Sequence, residues 1–572
     1  MLILTVPEML AYEKRIIASG VSADELMERA GKGMAESLRR NFPGKRKALI
    51  LCGKGNNAGD ALVVARELVF GRGTPASETW DVLVRWLKPP AHLGELAAIK
   101  LQALRSAESH FIPGSHLDIA EDPGVDEEDW PDSEGIVIDA LLGIGSSGAP
   151  REDLAQLLEE AEEQRLALMF STVALDIPTG LVATAAAMEA DDSLYPEDVS
   201  PSFVATLTLT VGWPKDILVR EEMGKWVGRI EVISIFDKEH EPTEADAASL
   251  QCGESLITAL DGAIACPRRE STSYKGDFGR VLIIGGSPGM SGAPILSALA
   301  ALYGGAGLVN VAVHPAVLQS VAAHAPPEVM LSAWPVEGEE HGEQDGEEWD
   351  RLCASATVIA LGPGLGKSPD AEAILEKVIL STSQALVLDA SALTCLASRP
   401  DLLTDLHGRT VLTPHLGEMR RLMGETSLPT RERTDAARNF ARKHGVIVVL
   451  KGLRTIVADP VWHEPEDAGS QDEVIPCGEP DEVHVSWNSS GNPALAVGGS
   501  GDTLTGLIAA LIAQGNFLEA ATRGAVWLHG HAADIVARQR GCEVGIRASE
   551  ISAAFPLAIA SARKLSGGPF MR

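Results

Sequence analysis

At 572 residues the chain is too long for one ordinary hydrophobic core, and two domains of about 200 to 300 residues are expected. Hydrophobic residues at 45% and charged residues at 22% fit a globular protein, and 56 glycines with no three-residue period exclude a collagen. The formal net charge of −32, from 80 acidic and 48 basic residues, disfavours general binding to nucleic acid or to an anionic membrane. A phosphate site remains open to it, because backbone N–H groups and one or two basic side chains suffice to build one.

The opening stretch MLILTVPEMLAYEKRII has only a short apolar run with no basic region before it, so no signal peptide is expected. No apolar run is long enough to cross a bilayer. Lys47–Leu51 reads as a buried strand, followed by the loop CGKGNNAGD and an apolar helix over Ala61–Phe70. Trp80–Trp86 reads as a strand and Leu93–Leu104 as a helix. Gly135–Asp139, Leu168–Leu175 and Thr206–Val211 add further strands. Strands that end in polar or glycine-rich loops and alternate with helices predict an α/β, Rossmann-like three-layer domain over residues 1–240, with ligands at the C-terminal strand ends. The acidic segment Glu121–Glu134 reads as an exposed insertion.

Charge-rich Asp237–Asp246 reads as a linker, and a second α/β domain is expected over residues 250–572. It opens with a helix near Ser249–Leu260. Arg280–Ile284 follows as a strand, Gly285–Gly292 as a glycine-rich loop and Ala293–Gly304 as a helix. Thr357–Leu361, Ala385–Leu388, Thr410–Leu412 and Ile447–Leu450 are strand candidates, and a long helical region starts near Thr503. The acidic stretches Glu337–Asp350 and Glu464–Glu482 read as solvent-facing loops. Cysteines at 52, 252, 266, 353, 395, 477 and 542 form no CxxC pair, and their odd number argues against a paired disulfide framework. A reducing cytoplasm is the expected setting.

Three motifs in the first half sit where strands hand over to loops: GKGNNAGD at 53–60, IDALLGIG at 138–145 and VALDIPTG at 173–180. The first is neither a Walker loop nor a dinucleotide fingerprint, and by itself reads equally as a tight structural turn. Aspartates directly after apolar strands are also common caps. Together with TVGWPK at 210–215, the ordered set resembles the NAD(P)HX epimerase family over roughly residues 1–240. The resemblance implies that Asn56, Asn57, Ala58, Gly59 and Asp60, with Gly143, Ile144, Gly145, Ser146, Ser147, Gly148 and Ala149, surround a hydrated NADH or NADPH. It places Asp176 beside the reactive ring, and Asn57, Asp139 and Thr179 around a potassium ion. The family's first loop is GNNGGDG. Here GNNAGDA carries extra methyl groups at Ala58 and Ala61, expected to press on the backbone and on substrate clearance. Thr179 stands for the commoner serine of DIPSG and keeps its hydroxyl. Asp176 is then the proton shuttle that interconverts the R and S hydrates at carbon 6; the alternative is that it only caps its turn.

The second half carries YKGDFGRVLIIGGSPGMSG at 274–292, GAGLV at 305–309, LGPGLG at 361–366, TPHLGE at 413–418, VLKGLRT at 449–455 and NPALAVGGSGDTLTG at 492–506. In GGSGD the glycines allow a tight turn into a helix whose amides face phosphoryl oxygens, and Asp502 can accept a hydroxyl proton. An N-cap role is the structural alternative for Asp502. The ordered set resembles the ADP- or ATP-dependent NAD(P)HX dehydratases of ribokinase-like fold, over roughly residues 250–570, with Ser500 in place of the family's threonine. The resemblance places Ala293, Gly364, His415 and Asp502 around the hydrated cofactor, and Lys451, Gly452, Leu453, Arg454, Thr455 and Gly501 around the nucleotide. Magnesium is expected with the phosphates, held mainly by water and phosphate oxygens. ADP is favoured over ATP, and self-association is expected by analogy with both folds. The competing readings are a vitamin or sugar-precursor kinase, and a noncatalytic sterol-transport or protein-interaction role for the first domain.

Overall fold

The computed structural model describes residues 1–44, 46–70, 79–107, 112, 114–146, 148–190, 201–236, 253–336, 343–461, 480 and 482–565. The chain separates into two compact units, Met1–Gly253 and Glu254–Arg572.

The first unit is built on seven strands: β1 Arg46–Cys52, β2 Trp80–Trp86, β3 His116–Ile119, β4 Ile136–Ala140, β5 Ser171–Leu175, β6 Leu207–Val211 and β7 Arg229–Ile233. They lie in the order β3-β2-β1-β4-β5-β6-β7, and every pairing is parallel. Strand alternation explains the layers. Ala48, Ile50 and Cys52 of β1 point into a core shared with the helices Val6–Ala18, Ala23–Asn41, Asn56–Phe70 and Glu95–Ser106. Leu49 and Leu51 point the other way, onto Leu154, Leu158 and Ala161 of the helix Glu152–Leu168. Strand order reverses between β1 and β4, so the loops leaving these two strands part and open a crevice at the C-terminal edge.

The second unit carries β8 Glu254–Ile257, β9 Arg280–Gly285, β10 Leu308–Val313, β11 Met330–Ala333, β12 Val358–Leu361, β13 Ala385–Leu388, β14 Thr410–Leu412, β15 Ile447–Leu450, β16 Ile456–Val461 and β17 Glu482–Asn488. Their order is β11-β10-β9-β12-β13-β14-β15-β16-β17-β8. Pairing is parallel from β11 to β15 and antiparallel on both sides of β16, and β8 closes the far edge parallel to β17. Val281 and Ile283 face a core with the helices Gly292–Tyr303, Ser500–Ala513 and Leu518–Arg540. Residues 503–513 are buried on all sides, which is why this helix shows no polar face in the sequence. The switch point lies between β9 and β12. No helix among the described residues is long and apolar enough to cross a membrane.

Several expectations are corrected. Residues 254–257, read as helix, form β8, and the helix Ala259–Ile264 begins only after Thr258, whose hydroxyl caps it; residues 249–252 lie outside the described residues. Leu168 ends a helix, and Met169 in the left-handed region (φ 60°) separates it from β5, a break that the mostly apolar run hides. Residues 343–350, read as loop, belong to the helix Glu343–Ser355, anchored by buried Trp349 and Cys353. Asp129, inside the supposedly exposed acidic insertion, is buried against Arg85, with Nη2 2.5 Å from Oδ1 and Nε 2.7 Å from Oδ2. The linker Asp237–Asp246 lies outside the described residues, as does Glu464–Glu482 apart from residues 480 and 482.

Candidate active sites

In the first unit, β1 runs out at Cys52 and the chain re-enters helix at Asn56. Asn57 is buried, and its Nδ2 donates to Leu142 O at 2.9 Å and to Leu175 O at 3.1 Å. Its Oδ1 is buried with no hydrogen-bond partner. Leu142 N donates in turn to Thr179 Oγ1 at 3.0 Å, and Thr179 donates its hydroxyl to Asp139 Oδ1 and its backbone N–H to Oδ2, both at 2.7 Å. Leu141 N adds a third bond to Asp139 at 3.1 Å. Burial nevertheless pushes the Asp139 carboxyl up to about 6. Asn57, Asp139 and Thr179 thus meet from three strand ends. Among the described residues no group of three or more His, Cys, Asp or Glu is placed to hold a metal. The all-oxygen set here suits a hard monovalent cation, and the orphaned Asn57 Oδ1 is the atom that such an ion would satisfy.

Asp176 follows β5 with φ 67°, a conformation uncommon for a side-chain-bearing residue. Its N–H donates to Leu209 O at 2.8 Å. Its Oδ1 accepts from Val211 N at 3.2 Å and from Lys215 Nζ at 2.5 Å. Lys215 is wholly buried and also donates to Thr210 Oγ1 (3.1 Å) and Val211 O (2.7 Å). Burial, then the charge of Asp176, hold the Asp60 carboxyl well above the usual carboxylate range, and Glu13 is raised for the same two reasons. The site is therefore an acid-rich cluster around buried Lys215.

The loop after β4 lies beside it. Gly143 packs next to Asn57, Ser146 donates its hydroxyl to Gly143 O at 2.8 Å, and Ile144 is half-buried. Asn56, Gly145, Gly148 and Ala149 are exposed, and Ser147 lies outside the described residues. Ala58 and Ala61 are fully buried in the core under the helix Asn56–Phe70. Gly59 approaches the Met27 side chain so closely that a Cβ would lie 2.6 Å from it.

In the second unit the predicted residues share one edge. Gly364, at φ 65°, sits against Met290 O and the Ala293 methyl, joining the loops that follow β12 and β9. Lys451, at the end of β15, bridges to His415 through the backbone and donates Nζ to Asp389 Oδ1 at 2.8 Å. A Cβ on Gly501 would lie 3.3 Å from that Nζ and 3.7 Å from Asp389 Oδ2. Asp502 stands in the first turn of the helix Ser500–Ala513, whose N-cap, Gly499, has φ 90°. Asp502 makes no cap bond there; burial and neighbouring Asp389 push its carboxyl up to about 7, against the pull of Lys451. His415 accepts at Nδ1 from Gly417 N (2.9 Å) and Glu418 N (3.3 Å), capping the helix Leu416–Met423, and its ring is largely exposed. Gly452 and Leu453 are exposed in the turn between β15 and β16, Thr455 is half-buried, and Arg454 is buried.

Lys215 and Asp389 carry no role in the sequence analysis. Lys215 lies in the TVGWPK motif, and Asp389 directly follows an apolar strand as Asp176 does, much as Asp139 stands at the end of β4. That shared pattern is the signal that would have found Asp389.

Two α/β units, each gathering polar groups and glycine loops at the C-terminal strand edge of a largely parallel sheet, define a two-site enzyme of doubly wound class. Residues 23–217 match the family described as YjeF-related protein N-terminus, and residues 281–557 match the family described as NAD(P)H-hydrate dehydratase. The bifunctional NAD(P)H-hydrate repair enzyme of Moorella thermoacetica is 35% identical over 525 residues, covering 90% of this chain and 88% of that protein. The Escherichia coli enzyme of the same description is 32% identical, covering 91% and 87%. A solved ADP/ATP-dependent NAD(P)H-hydrate dehydratase from Bacillus subtilis, co-crystallised with ATP and Mg2+, is 25% identical over 54% of this chain and 99% of its own, with a TM-score of 0.42. The chain belongs to the family of bifunctional NAD(P)H-hydrate repair enzymes. The vitamin- or sugar-kinase alternative is not favoured by these matches.

Proposed function

We propose that residues 1–240 epimerise the hydrates of NADH and NADPH at carbon 6 and that residues 250–572 dehydrate the S hydrate at the expense of ADP, with ATP the second choice of nucleotide. Both activities serve one pool of damaged cofactor, in the cytoplasm, so their fusion is chemically coherent. The observation that carries the reading is a carboxylate near a lysine at the C-terminal strand edge of each unit: Asp176 with buried Lys215, and Asp502 near half-buried Lys451.

In the first unit, residues 56–60 and 143–149 enclose the hydrate, with Asp176 against the ring. Asp176 moves a proton and faces the positive charge that develops as the carbon centre opens. Asn57, Asp139 and Thr179 hold potassium, which supplies a fixed positive charge beside the substrate.

In the second unit Ala293, Gly364, His415 and Asp502 face the hydrate, while residues 451–455 and Gly501 face the nucleotide. Asp502 takes the proton from the carbon-6 hydroxyl as that oxygen attacks the terminal phosphoryl group of ADP, and AMP leaves. The new phosphate ester then departs as inorganic phosphate, displaced by the electron pair of the ring nitrogen, and loss of a proton from carbon 5 to solvent restores the dihydronicotinamide ring. The helix Ser500–Ala513 turns its N-terminal amides toward the transferring phosphoryl group. Magnesium accompanies the nucleotide and screens its phosphate charge.

The test supplies full-length protein with mixed R and S hydrates, potassium, magnesium and either ADP or ATP, followed by time-resolved chiral separation. Loss of both hydrates with stoichiometric phosphate and NADH is expected. A stable phosphorylated product would overturn the dehydratase reading, and R hydrate left untouched would overturn the epimerase reading.

A further inference from the structure

Asp389 is 1% exposed and yet sits on the rim of the second site. Both carboxylate oxygens are engaged: Oδ1 accepts from Lys451 Nζ at 2.8 Å and Oδ2 from the Thr505 hydroxyl at 2.9 Å. These partners come from different elements. Asp389 follows β13, Lys451 ends β15, and Thr505 stands one turn beyond Asp502 on the helix Ser500–Ala513. Behind it, Gly362 in the loop after β12 packs so tightly that a Cβ would lie 1.9 Å from Asp389 O, so the residue has little freedom to shift. A buried carboxylate tied to three segments fixes where a lysine ends, and here it ends against Gly501, the residue before Asp502.

The alternative partners of that lysine show what the tie accomplishes. Glu418 Oε2 is 4.0 Å from Lys451 Nζ, Asp502 is within its electrostatic reach, and His415 lies across the backbone bridge. On the far side, His529 from the helix Leu518–Arg540 bonds the Thr503 hydroxyl at 2.9 Å, and its burial keeps it neutral. Lys451 is thus the cation facing Asp502 in this cluster. An ammonium paired directly with a general base lowers its basicity and competes for the proton the base must accept.

We propose that Asp389 is a positioning residue of the dehydratase, holding Lys451 at Gly501 and away from direct pairing with Asp502, so that Asp502 keeps the basicity its role requires. The inference rests on the assignment of Asp502 as the base.

The experiment is the pH profile of S-hydrate dehydration at saturating nucleotide in full-length protein, for wild type, Asp389→Asn, Asp502→Asn and the double variant Asp389→Asn with Lys451→Met. Asparagine keeps the shape and the contact to Thr505 but removes the charge that retains the lysine. The midpoint of the rising limb is expected to fall by about one unit or more in Asp389→Asn, partly because its own charge no longer raises Asp502, and to move back toward wild type in the double variant, where no ammonium remains to pair with Asp502. Thr505→Val, which keeps the Asp389 charge, isolates the contribution of the loosened lysine. A role confined to stability would lower the unfolding temperature and the amount of active protein and leave the midpoint unmoved; that result overturns the proposal. If circular dichroism shows Asp389→Asn unfolded, Thr505→Val removes one of its anchors, leaving Lys451 and Thr413, with little change in shape. A smaller downward shift is then expected, and an unmoved midpoint overturns the proposal equally. Wild-type turnover in folded Asp502→Asn would instead reject the assignment of the base, a failure distinct from that of Asp389.

Discussion

Lys215 Nζ lies 2.5 Å from Asp176 Oδ1, and the ammonium is wholly buried. All three of its N–H groups are spoken for, by Asp176, Thr210 and Val211. Removing it leaves a carboxylate in an acid-rich cluster with Asp60 and Glu13 and no cation in contact. Lys215→Met should therefore destabilise the first unit by about 3–5 kcal/mol, the usual penalty for stranding one member of a buried pair. R-to-S exchange should be lost, while dehydration of pure S hydrate survives in protein that remains folded. Chiral chromatography with each hydrate separately, alongside a thermal melt, checks both parts.

Asp176→Asn separates the roles further. It preserves the size of the side chain and an acceptor for Val211 N, but neither pairs the Lys215 charge nor carries a proton. Epimerisation should fall by roughly 10²–10⁴-fold, the typical contribution of an acid–base group. NADH recovery from pure S hydrate should be unchanged. Near-normal R-to-S exchange in the folded variant would leave Asp176 as a turn residue only.

The orphaned Asn57 Oδ1 predicts a specific response to potassium. Exchanging sodium chloride for potassium chloride at constant ionic strength should raise the unfolding temperature of the first unit and its epimerase rate. Asn57→Leu removes both the buried acceptor and its two backbone contacts, and should abolish the difference between the two salts. Equal melts for the wild-type protein in both salts would count against an ion at this position.

What the sequence reveals here follows from range. Strands β2, β13, β14 and β15 are predicted to the residue, because a short apolar run bounded by polar residues is a local signal. The aspartates at the end of β4 and after β5 are legible for the same reason. Partnership is not: Lys215 meets Asp176 across 39 positions and Lys451 meets Asp389 across 62, distances that no periodicity encodes. The helix Glu343–Ser355 was hidden by its acidic composition, although Trp349 and Cys353, four positions apart, mark a buried stripe. Strands β16 and β17 carry no such signal, because they pair antiparallel and follow no βα rhythm, and residues 254–257, read as helix, join the same side of the sheet as β8.

Asp502 makes the dehydratase sensitive to pH near neutrality. Its carboxyl is pushed up to about 7 by burial and by Asp389. A base must be unprotonated to accept the hydroxyl proton, so turnover should rise with pH through about 7 and level off above it. Asp502→Asn should lower the rate by roughly 10²–10⁴-fold and abolish that rise. NADH absorbance and phosphate release from pure S hydrate, measured from pH 5.5 to about 8.5 with stopped-time controls for spontaneous hydrate breakdown, check both.

The same raised pKa predicts that Asp502 weakens the fold it serves. Unfolded, the carboxyl titrates near 3.8; folded, at about 7. Between these values the folded state binds the extra proton, so this group's stabilising contribution is complete below about 4 and is lost as pH rises toward and through about 7. Above that point the ionised group stands desolvated beside Asp389, with Lys451 offsetting only part of the penalty. Asp502→Asn removes the titration. Relative to wild type, the variant should gain stability progressively as pH rises, by on the order of 2–4 kcal/mol once solvent screening of this half-buried side chain is allowed for, and should gain nothing further above about pH 8. Thermal unfolding of the two proteins at pH 5, 6, 7 and about 8 supplies the comparison. A constant difference across that range would mean that Asp502 titrates alike in the folded and unfolded chain, and the account of its basicity through burial and Asp389 would fall with it.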